Sequence, residues 1–503
     1  MATVTTGADL ETDVLVIGSG LLGAAVARMV RDTNPDATVT MVAGGPRMGA
    51  VPGQHLHDSP DDALRRRFAA GAAVNQQNLY VGAERRTSSA ASRADLTAGL
   101  HGIEAVGNGP GELPGAAVAW NEGGMGVHWA AGTPPPFGDE IPAVVDDARW
   151  PADLRRAEEI LGVRTDAFPA DDRSAAILAV LAVELGGTGA AAPQPMPMAI
   201  VRRADGMLVR TGPNRIWPPL ADRSDPRFTL IDATVCTALE HRDGRVTGAR
   251  LSSLVDGTET SVRARRVVVA ADALRTPQLL HASGIRPPAL GRFLNEHAFL
   301  TGAVVVTPAM LGVPERAADE PAGEPFRHAL WAPYRGAERP FHGGILCRPT
   351  DQGPPGSLLV TLSWYVPTEV TAANRMVFAD DDTDVTGLPR FAVRFARTDT
   401  DARHIEAAQA SLHRVALALT GGRSASPAVL LDPGSSLHYT GTVRMSAADD
   451  GTGVCDFEGR VWGFDNLFVA GNGVIPSAMT ANSTLTAVAL AVRTVRSVVA
   501  GLR

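Results

Sequence analysis

The chain has 503 residues and carries 46 arginines, no lysine at all, and 54 acidic residues, for a net charge of −8. Without lysine it cannot form a pyridoxal-phosphate Schiff base, a Walker-A phosphate clamp or a protein-kinase ion pair. Arginines and acids are interspersed with no basic stripe, which argues against a nucleic-acid partner. Hydrophobic content of 45% and charged content of 20% are those of a globular chain. At ~100–200 residues per domain, two or three structural units are expected.

Met1 to Leu10 is polar, with no basic segment followed by an apolar run, so no secretory signal is expected. No apolar stretch approaches the ~20 residues that a bilayer span needs, so no membrane partner is expected. Cys236, Cys347 and Cys455 are far apart and odd in number. This predicts neither a disulfide framework nor a metal site, and it fits a cytoplasmic location.

The first predicted element is a strand at 13–17, DVLVI, whose continuous apolar run marks burial on both faces. Gly18-Ser19-Gly20-Leu21-Leu22-Gly23 follows and opens a predicted helix to about Arg31. Asn34-Pro35-Asp36 ends that helix, and Ala37–Val42 is read as a second strand. The glycines at 18, 20 and 23 suit a tight turn, close approach to a pyrophosphate, and packing of helix on strand. The helix N-terminus then presents its positive end to the phosphates. The acid that commonly binds ribose hydroxyls ~20 residues further on falls at Ala43, which cannot do that work.

Residues 46–120 give no clear pattern. Gly123-Gly124-Met125-Gly126-Val127-His128-Trp129 is the next glycine-rich segment, and Thr133–Pro136 reads as a rigid connection. Two helices are expected within 150–187, and a Pro-rich loop over 190–220. From Phe228 to Val269, alternating runs separated by Arg242-Asp243-Gly244 and Asp256-Gly257 predict a β-meander ending on a buried strand. Residues 303–400 are strand-rich, and a helix is expected over about 400–420.

The C-terminal part carries Leu437-His438-Tyr439-Thr440-Gly441-Thr442, a buried strand at Leu467–Ala470, and an irregular turn at Asn472–Pro476. Asn482-Ser483-Thr484 stands where a helix N-cap belongs, at the start of the helical tail read over 481–499. Nucleotide-binding elements thus recur at the start, middle and end of the chain, separated by strand-rich insertions.

Taken together, these blocks resemble the glucose–methanol–choline (GMC) family of FAD oxidoreductases. The matching pieces are the N-terminal glycine fingerprint, Val267–Leu280 through Ile285, Leu290–His297 and the C-terminal block, and Asn374–Phe378 adds a likeness to pyranose oxidases. Within the family the chain looks most like pyranose oxidases and bacterial glycoside 3-oxidases. The resemblance implies an α/β fold: a discontinuous Rossmann-like FAD-binding domain (1–140, 225–303 and 430–503) plus a β-rich, antiparallel substrate-binding domain (141–224 and 304–429). It implies FAD contacts at Gly18, Gly20, Gly23, Gly123, Gly124, Met125, His128, Val235, Asn472, Gly473 and Thr484. It also implies a catalytic base at His438 with Asn482 as its partner.

His128 keeps two readings: a hydrogen-bonded structural imidazole, or a covalent tether to the flavin. Ala130 lacks the hydroxyl found near flavin N5 in the fungal enzymes, which bears on oxygen reactivity. Trp364, Tyr365 and Arg348 are candidates for the substrate pocket, with Trp364 read first as core. The implied activity is oxidation of a secondary hydroxyl (carbon 2 or 3) of a pyranose or glycoside, with reoxidation by oxygen or a quinone. The alternatives are another alcohol oxidase or dehydrogenase of the family, or a flavin-bearing lyase of the hydroxynitrile-lyase type. With no lysine in the chain, negative charge on a reduced flavin has to be met by amides near Asn482–Leu485 or by an arginine.

Overall fold

The structure is a computed structural model that describes residues 10–66, 90, 92–143, 148–204, 206–315, 326–424 and 426–502. The first nine residues, on which the expectation about a secretory signal rests, lie outside the described residues.

One sheet is built on five parallel strands drawn from distant parts of the chain. Their order is Phe228–Ile231, Val39–Val42, Leu10–Ile17, Glu259–Val269 and Leu467–Val469. Val14, Leu15, Val16 and Val267–Val269 are fully buried, as strands covered on both faces must be. The helices Leu21–Thr33 and Thr484–Ala500 pack together beside this sheet, and Trp150–Leu161 packs on the latter.

The meander is present, with one correction. Phe228–Ile231 does not belong to it but pairs in parallel with Val39–Val42. The chain breaks at Ala233, whose φ of 45° takes it out of strand geometry. The antiparallel part is therefore Thr234–Arg242, Arg245–Ser253 and Glu259–Val269. Asp243 (φ 50°) and Gly244 (φ 74°) form the tight turn between the first two strands.

The second sheet is antiparallel throughout. Its order is Val429–Leu430, Ala298–Val306, Leu358–Val366, His342–Pro349, His328–Ala332 and Gln194–Pro195. The predicted loop over 190–220 thus contributes an edge strand, where Pro195 is tolerated because no neighbour needs its amide. It also holds a small hairpin, Ile200–Arg202 with Leu208–Arg210.

Strand alternation decides which side chains of this sheet look where. Leu358, Val360, Leu362, Trp364 and Val366 share a core with Ile177, Leu181, Ala408 and Leu412 of the helices Asp172–Leu185 and Asp399–Leu419. Trp364 is fully buried and stacks on Phe341 at 5.5 Å, so it is a core residue. Tyr365, one residue on, lies on the opposite face, where His342 pairs with it across the strands. That imidazole-bearing face meets the C-terminal block.

Candidate active site

The glycine fingerprint folds as its residues dictate. A Cβ at Gly18 would stand 2.2 Å from the Ala270 carbonyl oxygen, and one at Gly23 would collide with the Gly18 carbonyl. Both glycines are therefore packing requirements of strand and helix. Gly20 differs: the nearest atom to a Cβ there is the Gly123 carbonyl oxygen at 3.8 Å, and Gly20 faces the long cleft. The helix that starts at Leu21 has no capping side chain and no acid in its first turn. Its amides and its positive end are left for an anion.

That cleft is lined by Gly18, Gly20, Gly124, Met125, His128, Val235, Asn472, Thr484, His438 and Asn482. Residues proposed from segments as far apart as Gly18 and Thr484 thus share one wall. Gly23, Gly123 and Gly473 lie behind the lining. Gly123 (φ 85°) donates its amide to Ser19 Oγ at 3.0 Å, tying the second glycine segment to the first. A Cβ at Gly473 would press on Val443 and Thr442. Near Ala43, the lining residues Gly44, Gly45, Thr234 and Val235 supply no carboxylate.

His128 donates from Nε2 to Asn121 Oδ1 at 2.9 Å, and both side chains reach the cleft. Asn472 Oδ1 is buried there with no hydrogen-bond partner. Arg348 is not among the lining residues.

His438 and Asn482 also line the cleft. Leu437 is held at φ 59°, a strained conformation for a branched residue, and it turns the chain so that His438 enters the cleft. The helix N-cap falls within Asn482-Ser483-Thr484 as expected, but on Ser483 and not on Asn482. Ser483 occupies the cap position of Thr484–Ala500 without a capping hydrogen bond, and the Asn482 side chain goes instead to His438, Nδ2 to Nε2, at 3.2 Å. The other ring nitrogen of His438 lies 2.9 Å from Nε2 of His297. Burial pulls the His438 imidazole down to about 4, so it is a neutral base near pH 7.

Two buried carboxylates hold the loops that carry this pair. Glu296 accepts from the Gly434 and Ser436 amides and from the Ser436 hydroxyl. Glu140 accepts from the amides of Thr480, Ala481 and Phe137 and from the Thr480 hydroxyl. Sequence reasoning assigned a role to neither acid, nor to His297 or His342. For 296 and 297 the only signal in the sequence was their place in the family-like block Leu290–His297. Glu140 gives none toward the site, because apart from the local Phe137 amide its partners, Thr480 and Ala481, are 340 and 341 residues away.

Residues 220–299 and 371–491 match the GMC oxidoreductase family. The chain is 37% identical to the C-glycoside 3-oxidase of Microbacterium trichothecenolyticum, over 97% of this chain and 96% of that protein. It belongs to the GMC oxidoreductase family. The pyranose 2-oxidase of Tricholoma matsutake is 28% identical over 98% of this GMC chain and 94% of its own. A crystal structure of formate oxidase shares the fold, with a TM-score of 0.67 at 14% identity, covering 98% and 99% of the two chains.

As a GMC oxidoreductase the protein takes FAD, with an FAD-binding and a substrate-binding domain. The cleft fits that group. An uncapped helix N-terminus faces it, Gly20 leaves its wall open, and a buried Asn472 oxygen awaits a donor. Among the described residues no cluster of three or more His, Cys, Asp or Glu is placed to hold a metal. Among them, too, no helix is long and apolar enough to cross a membrane.

Proposed function

We propose that this GMC oxidoreductase oxidises a secondary ring hydroxyl of a pyranose glycoside to a ketone, at carbon 3 in preference to carbon 2. The observation that carries the reading is the His438–Asn482 pair at 3.2 Å on the cleft wall. The C-glycoside 3-oxidase and pyranose 2-oxidase relatives supply the substrate class, and the higher identity of the former favours carbon 3.

His438 Nε2 accepts the hydroxyl proton as the carbon–oxygen double bond forms. The Asn482 amide, which donates to Nε2 in the resting site, donates to the substrate oxygen when the hydroxyl takes its place. FAD supplies the acceptor for the hydride that leaves the same carbon. Gly18, Gly20 and the start of the helix Leu21–Thr33 would hold its pyrophosphate. The start of Thr484–Ala500 is uncapped, has no acid in its first turn and reaches the cleft at Thr484, so it would offset negative charge on a flavin bound there. Oxygen or a quinone would be the final electron acceptor.

We take FAD to be held by non-covalent contacts, with His128 hydrogen-bonded through Nε2 to Asn121. Acid precipitation tests this: flavin in the supernatant agrees, and a yellow pellet contradicts it. The function is tested by adding C-glycosides, O-glycosides and free sugars to the anaerobic yellow protein. Bleaching by a glycoside, with a 3-keto product, supports the reading. A spectrum unmoved by every sugar overturns it and favours a lyase.

A further inference from the structure

His297 immediately precedes the strand Ala298–Val306 and is buried. Its Nδ1 lies 3.0 Å from the carbonyl oxygen of Met479. A carbonyl only accepts, so Nδ1 carries the hydrogen. Burial, with His438 and His342 close by, pushes the imidazole well below its usual range, so the ring is neutral near pH 7. A neutral imidazole has one N–H, and Nε2 of His297 is therefore a lone pair. The His438 Nδ1 facing it at 2.9 Å must donate. His438, also neutral, then has its lone pair on Nε2, the nitrogen beside Asn482.

Every contact in this chain has one donor and one acceptor in only this arrangement. With the hydrogen of His438 on Nε2 instead, two lone pairs would face each other across 2.9 Å in a buried site. The remaining neighbours do not change the assignment. The Tyr365 ring packs 4.8 Å from His297, and His342 receives the Trp331 indole N–H on its own Nδ1.

We propose that His297 is a positioning residue that fixes the tautomer of His438, with the Met479 carbonyl as the fixed reference at the far end of the chain. The inference rests on the reading of His438 as the base. When Nε2 takes up the substrate proton, the same Nδ1–H···Nε2 contact becomes charge-assisted and stabilises the imidazolium. His297 thus serves the base before and after proton transfer without touching substrate.

The test compares His297→Leu and His297→Gln in the full-length, flavin-loaded protein. Glutamine can accept from His438 Nδ1–H with its oxygen and donate to Met479 with its amide, so it preserves the arrangement. Leucine can do neither. Nitrogen-15 NMR of labelled histidine should show His438 with Nδ1 protonated and Nε2 bare in the wild type and in His297→Gln. His297→Leu should show a mixture. Turnover in His297→Leu should fall roughly 10–100-fold with KM within about threefold. His297→Gln should recover most of the rate.

A protonated Nε2 in the wild type overturns the proposal, as does a His297→Leu protein at full rate. If His297→Leu does not fold, the wild-type and His297→Gln spectra decide. If no glycoside bleaches the wild type but its Nε2 is bare, the substrate assignment fails and the tautomer assignment stands.

Discussion

The carboxylate of Glu296 accepts both the amide and the hydroxyl of Ser436, at 2.8 and 2.6 Å, two residues before His438. Its other oxygen takes the Gly434 amide at 2.5 Å. Replacing it by glutamine leaves one acceptor for three donors and sets an amide N–H against a backbone N–H. The Glu296→Gln protein should lose about 1–3 kcal/mol of stability. It should also reduce flavin roughly tenfold more slowly with substrate. Denaturant unfolding and stopped-flow bleaching measure the two effects, and flavin content should be unchanged.

Glu140 does the same for Asn482 from the opposite side. It fixes Thr480 and Ala481, so its effect on rate should pass through the Asn482 amide. Glu140→Gln should slow turnover in the wild type but add little in an Asn482→Ala background. The rate loss in the double variant should be clearly less than the product of the single losses. Equal losses in both backgrounds would mean that Glu140 acts elsewhere.

His438, the proposed base, is neutral well below the ordinary histidine range because burial disfavours its charged form. Activity requires the unprotonated ring, so it is present above the folded value and lost as pH falls through it. The acid limb of kcat/KM should therefore lie near pH 4 rather than 6.5. Measurement in buffers from pH 3.5 to 8 locates it.

Gly20 and Gly23 belong to one motif but meet different constraints. At Gly20, φ is −70° and a Cβ enters the cleft, so Gly20→Ala should leave the apo protein as stable as the wild type and weaken FAD binding. At Gly23 a Cβ strikes the Gly18 carbonyl, so Gly23→Ala should destabilise the apo protein itself. Thermal unfolding of the apo forms and FAD titration separate the two.

His342 is buried and lowered to about 3 by burial and by the neighbouring His438 and Arg339. Below its unfolded value of 6.5 the unfolded chain binds the extra proton and the folded chain does not. Stability is therefore full above pH 6.5 and declines as pH falls from there toward 3. One such group costs about 2 kcal/mol between pH 6.5 and 5. His342→Gln, whose oxygen can still accept from Trp331, should flatten the pH dependence of unfolding by about that amount.

The parallel strands and the glycine turn were legible because a doubly covered strand needs an unbroken apolar run and a phosphate turn needs glycine at fixed spacing. Val14–Ile17, Gly18 and Gly23 are local answers to local constraints. The split at Ala233 and the edge strand at Gln194–Pro195 were not legible, because a neighbouring strand, not the segment's own pattern, decided them. At the site, His438 and Asn482 stood out through the resemblance, and strand alternation separates Trp364 from Tyr365 once the core side is known.

What the sequence determined by itself is chemistry that needs no lysine, a nucleotide-binding turn after Leu10–Ile17, and the family's characteristic blocks in order. Whether Asn482 caps a helix or binds His438, and which nitrogen of His438 is free, only the tertiary structure decided. Those outcomes depend on Glu140, Glu296, His297 and the Met479 carbonyl. These groups approach the site from separate segments and are brought within hydrogen-bonding distance only when both sheets are packed.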